Sequence, residues 1–170
     1  STAIGGLAKA NQDFSNALGY KATVEAERST AIGMKALVKG AGSTDSIAIG
    51  NLTEVTGADS VALGQEAKAQ SGRSIALGYR STTNESKPGM SSAGAIAIGD
   101  QASTDNRSSD NTNALTNNQY NRESVAIGAK AQAFGDQAIA LGGDTKASGN
   151  SSIAIGGDDI DKVRDDHGNL

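Results

Sequence analysis

Few residues in this 170-residue chain could make or break a bond. There is one histidine, His167, and no cysteine. A catalytic or metal-ligating histidine needs partners, and His167 stands in a polar tail with no Cys to join it, so it reads as an ordinary exposed side chain. The carboxylates nearby, Asp158, Asp159, Asp161, Asp165 and Asp166, raise the question of calcium. They lack the twelve-residue spacing of an EF-hand, and the chain has no nine-residue Gly-Gly-x-Gly-x-Asp repeat. They read as a solvated acidic end, or as partners for Lys162 and Arg164. The 22 glycines include no Gly-x-x-x-x-Gly-Lys-Ser/Thr phosphate loop. No nucleophile–base or acid–base pair can be assembled with any specificity. The expectation is a protein that is not an enzyme, with no cofactor and no metal site.

The composition points away from a conventional core. Leu, Ile, Val and Phe together make 29 of 170 residues, and the whole chain holds five aromatic side chains. That fraction is low enough to resemble disorder, but the net charge is only −4, so charge repulsion does not complete the disordered signature. A mildly acidic chain does not suggest nucleic acid as a partner. No apolar run is long enough to cross a bilayer, so no helical membrane span is expected. No signal-peptide pattern opens the chain, and the start at Ser1 reads as that of a fragment.

The glycines instead mark a repeat. A phrase ending Ala-(Ile/Leu)-Gly closes ten times, at Gly5, Gly19, Gly33, Gly50, Gly64, Gly78, Gly99, Gly128, Gly142 and Gly156. Six of the nine gaps are fourteen long, and the others carry insertions of three, seven and fifteen. Self-similarity at a fixed short period is the signature of a stacked solenoid. Counting back from each Gly, the preceding residue is always Ile or Leu, and the one before that is always Ala. The third is Ile or Val in seven copies, and the fourth is Ser in eight. The two large columns take 17 of the 29 large apolar residues. Alternation with period two means a strand, with Ile, Val and Leu on one face and Ser and Ala on the other. A second strand follows, with small or β-branched residues three and five after the Gly (Ala22/Val24, Ala36/Val38, Ala67/Ala69) and polar ones between them (Lys9, Thr23, Glu54, Lys68). Two strands and two tight turns fit into one such period. Ten coils stacked about 4.8 Å apart give a rod of roughly 43 Å.

In this reading the Ile/Leu columns fill a flattened roll and the Ala/Ser face lies outside it. Ten alanines in ten copies then suggest close approach by another chain. Ala48, Ala62, Ala76, Ala97, Ala126, Ala140 and Ala154 are assigned to that contact, with C3 as one simple closed symmetry. The first three copies have Thr2, Asn16 and Thr30 where later ones have Ile or Val, so the N-terminal end is expected to be looser. Loops are expected at about 79–94, which includes the only Pro, and at 100–123, where Arg107, Tyr120 and Arg122 are candidate partner contacts. The outward lysines (Lys9, Lys21, Lys35, Lys68, Lys130, Lys146) read as a solvated face that discourages edge aggregation.

The Ser-Val-Ala-Ile-Gly-type repeat with its fourteen-residue period, and Gly-Asp-Asp-Ile-Asp-Lys-Val as its exit, resembles the YadA-like head of trimeric autotransporter adhesins. The resemblance covers residues 1–157 as head repeats, with 158–170 as the start of a neck. It implies an all-β fold: a trimer of left-handed parallel β-rolls on a coiled-coil stalk, held in the bacterial outer membrane by a C-terminal anchor that this chain lacks. It implies binding to host extracellular matrix proteins (fibronectin-, collagen- or laminin-like) or to host cell receptors. By the same resemblance the Ala/Ser face lies toward the trimer axis. Two alternatives compete with adhesion: a structural spacer that lifts another binding domain, and an ice- or crystal-binding solenoid using the flat Ala/Ser face. Hexapeptide acyltransferases also carry Ile-Gly repeats on solenoids, but their period of six does not divide fourteen.

Overall fold

The computed structural model describes residues 1–40, 42–83, 94–104 and 123–157. Its described residues form a parallel β-solenoid with no helix. The first strand of each coil, three residues ending just before the repeat Gly, joins one ten-stranded sheet running in sequence order from Thr2–Ile4 to Ile153–Ile155. The second strand, two residues long, builds a six-stranded sheet from Lys9–Ala10 to Thr82–Thr83 and a pair formed by Gln132–Ala133 and Lys146–Ala147. Single bridges from Thr82 to Ser103 and from Ser103 to Gln132 link those two parts.

Register is exact in repeat units. Ala pairs with Ala at every rung, as in Ala48↔Ala62, Ala62↔Ala76 and Ala76↔Ala97. The insertions do not disturb it: Ile75 pairs with Ile96, and Ile96 with Val125. All three insertions leave from one corner, the turn after the second strand, following Val38, Thr83 and Thr104. Residues 79–83 and 100–104 therefore still belong to coils.

The inside of the roll reverses the sequence expectation. Ala48, Ala62, Ala76, Ala97, Ala126 and Ala140 are closed to solvent within the single chain, and Ala154 packs against the same core at its C-terminal end. They cannot be the surface that meets another chain. No member of either Ile/Val/Leu column is buried. Those columns do not fill the roll; they lie outside it. The reason is width. The sheets are joined by turns so tight that the largest fully buried side chains are Val24, Val38 and Val55, and an Ile or Leu in every coil would overfill the gap. Ala and Ser from the first strand meet Ala, Val and Thr from the second, whose inward positions are as expected (Ala22/Val24, Ala36/Val38, Ala67/Ala69). The Ala/Ser face is thus no flat outer surface, which removes the ice-binding alternative. Thr2, Asn16 and Thr30 interrupt an outer stripe and leave no hole in the core.

Serine makes this narrow interior workable. The Ser60 hydroxyl donates to the Ser71 carbonyl (2.9 Å) and accepts the Ser74 amide (3.1 Å), and Ser46 does the same with Gly57 (3.0 Å) and Ser60 (3.2 Å). Buried hydroxyls are tolerated when they are bonded. The turns are held similarly. At the nine repeat glycines from Gly5 to Gly142, the residue two after the Gly is left-handed although it is not Gly, as at Lys35 (φ 56°) and Glu66 (φ 58°). Its amide donates to the turn of the preceding coil, Lys35 to Tyr20 (2.8 Å) and Glu66 to Asn51 (2.9 Å). The stack thereby offsets backbone strain that an isolated turn would not sustain.

Candidate functional site

Two surfaces are available to partners. The first is the outer face of the ten-stranded sheet. There the column three before the Gly reads Ile47, Val61, Ile75, Ile96, Val125, Ile139 and Ile153, and the column just before the Gly runs from Ile4 to Ile155. Leu18 and Leu63 are each 45% exposed and Ile127 39%, in the middle of the rod as well as near its end. The Ile/Leu column runs the length of the rod and the Ile/Val column runs beside it from Ile47 onward, and together they form a continuous apolar patch of the kind that marks an interaction site.

The second surface is the outer face of the smaller sheet. A groove of about 480 Å³ crosses three coils there, lined by Leu52, Glu54, Glu66, Lys68, Arg80 and Thr82. Its positions come from the left-handed turn residue and the outward residue of the second strand, which the solenoid stacks in neighbouring columns. Arg80 Nε donates to Glu66 Oε2 at 2.7 Å, and its guanidinium lies 4.9 Å from the Tyr79 ring centre. This hydrogen bond is the main reason the Glu66 carboxyl sits below its ordinary pKa. A similar pair joins Arg28 and Asp45, left-handed residues that fill the same turn position in successive coils. Arg28 grips Asp45 with Nε and Nη2 (2.6 and 2.8 Å), and that hydrogen bonding is the largest cause of the lowered Asp45 pKa. Both pairs are exposed, so they orient the surface more than they stabilise it.

Three sequence-level candidates, Arg107, Tyr120 and Arg122, lie outside the described residues, as do His167 and the aspartates from Asp158 to Asp166. Among the described residues no group of three or more His, Asp or Glu could hold a metal ion. Among the described residues no helix is long and apolar enough to cross a membrane. The left-handed turn residues were missed by sequence reasoning. Their signal was present: the position two after each Gly accepts Lys, Leu, Glu and Arg alike, as a position fixed by the backbone does.

No curated protein matches this chain. The family model described as the YadA head domain repeat matches residues 1–15, 17–36, 41–67, 56–81, 121–145 and 135–158. Those segments cover well over half of the sequence and follow the coils seen in the fold. The chain belongs to the YadA head domain repeat family and is a YadA-like head domain of a trimeric autotransporter adhesin.

Proposed function

We propose that this chain is one third of a rigid, non-enzymatic adhesive head on a bacterial surface, reached through an outer-membrane anchor elsewhere in the protein. Three copies close their outer apolar faces on one another. The head binds host matrix proteins or cell receptors through what remains exposed. The observation that carries the reading is the pair of Ile/Val/Leu columns left outside a filled core, from Ile4 to Ile155. A soluble chain does not leave such a stripe uncovered, and a second and third copy match its length and chemistry. The smaller sheet, on the opposite side of each roll, then faces outward, as does its groove. Repeated heads turn weak single contacts into avidity.

The ligand-contacting segment in this proposal is the longest insertion, with Arg107, Tyr120 and Arg122. It leaves the ladder after Thr104 and returns by Glu123, so removing 105–122 spares the paired residues on both sides. The trimer lacking 105–122 is expected to lose binding to immobilised matrix proteins and host cells while keeping its mass. Unchanged binding would take that segment out of the adhesive role. An intact head that binds no such surface would favour the spacer.

A further inference from the structure

The outer apolar columns pose a problem of alignment. From Ile47 to Ile153 every rung pairs Ile or Val with Ile or Val, and the neighbouring column is Ile or Leu throughout. Such a ladder looks almost the same after a shift of one coil, about 4.8 Å. Apolar packing is non-directional, so a copy docked on this face gains nearly as much in a shifted register as in the aligned one. The insertions leave from the corner after the second strand, away from these columns.

One stretch breaks the translation. At the N-terminal end the same column reads Thr2, Asn16 and Thr30, paired with one another and then with Ile47. All three point outward, Thr2 and Asn16 exposed and Thr30 half-buried. Among the described residues the Asn16 side-chain amide has no hydrogen-bond partner. A polar residue set into an apolar seam is a known means of fixing register, because misalignment leaves it facing apolar groups.

We propose that Thr2, Asn16 and Thr30 set the axial register of the assembled head. In the aligned trimer the polar layers of three copies lie at one height, where Asn16 amides can bond one another. A shift of one coil brings Thr30 to the height of Ile47 and leaves one polar layer beyond the partner's end. This rests on the trimer reading above, and names the residues by which one copy recognises the matching coil of another.

The chain has no cysteine, so introduced thiols report register cleanly. Chains carrying Ile75→Cys are co-assembled with chains carrying Leu77→Cys (same coil), Leu63→Cys (coil before) or Ile98→Cys (coil after). They are then oxidised, and the disulfide-linked peptides are counted by mass spectrometry. In the native background, same-coil disulfides should exceed adjacent-coil ones by about tenfold or more. With Thr2→Val, Asn16→Val and Thr30→Val in all chains, that preference should fall to about threefold or less. A triple variant that assembles and keeps the native preference overturns the proposal. Failure of the trimer itself looks different: single-chain mass in sedimentation and no interchain disulfide in either background.

Discussion

Gly64→Ala should damage this fold far more than its size suggests. Gly64 has φ +132°, and a Cβ built there lies 2.5 Å from the Gly78 carbonyl oxygen and 2.7 Å from the carbonyl carbon of the next coil. That carbonyl cannot step aside. Gly78 is tied by its amide to Leu63 (2.8 Å), and its oxygen accepts from the Ser81 hydroxyl (3.1 Å). Backbone strain at such a φ costs about 1–3 kcal/mol, and forcing packed groups apart costs about 1–3 kcal/mol more. Together they give about 2–6 kcal/mol per chain. At about 2–4 °C per kcal/mol for a domain of this size, the melting midpoint should fall by about 4–24 °C. Gly143→Ala is the control. It has no positive φ, its Cβ would meet only the Ala129 carbonyl oxygen at 3.8 Å, and Ala129 itself fills the same turn position one coil earlier. It should stay within about 1 kcal/mol of the parent. Circular-dichroism melts at one fixed chain concentration compare the two, since an assembling protein melts differently at different concentrations. A Gly64→Ala midpoint within about 2 °C of the parent, or a Gly143→Ala loss as large as that of Gly64→Ala, would show that the positive φ and the facing carbonyl do not limit stability.

The repeat, its two strands and the inward set of the second strand could all be read from the sequence, because the two-residue alternation and the coil period survive every insertion. Ala22 and Val24 alternate with Thr23, and no other arrangement of that strand buries its apolar residues. The first strand offered no such guidance. Ser60, Val61, Ala62 and Leu63 alternate just as cleanly, but alternation says only that two faces differ, and the habit of placing the larger residues inside pointed the wrong way. The missing quantity was the width between the sheets, set by tight turns that the two-residue alternation does not report. Once that gap is known to hold nothing larger than Val, Ala and Ser must fill it. The candidate site inverts with it: the alanines become core, and Ile75 and Leu77 become surface.

Ala62→Leu tests that inversion directly. It forces three extra carbons into a position with no exposure and should lower stability by about 1–3 kcal/mol or more in a denaturant titration. Leu63→Ala, beside it and 45% exposed, should weaken association and spare the coil. The reverse ranking would contradict the assignment of faces. Acid should act through Asp45 and Glu66. Their folded pKa values lie below the ordinary 3.8 and 4.5, so their stabilisation is present above those values and is lost as pH falls through the lowered ones. The double variant Asp45→Asn, Glu66→Gln should therefore show a smaller drop in melting midpoint between about pH 6 and about pH 3 than the parent does. An equal drop would mean that neither ion pair contributes.

If two further copies cover the apolar columns outside the roll, the chain is a trimer in solution, and sedimentation equilibrium reads that state from its mass. The parent should sediment at three times the 17.0 kDa chain mass, and Ile75→Glu with Leu77→Glu, whose side chains lie outside the core, at single-chain mass. A parent chain that sediments at 17.0 kDa under the same conditions would contradict it.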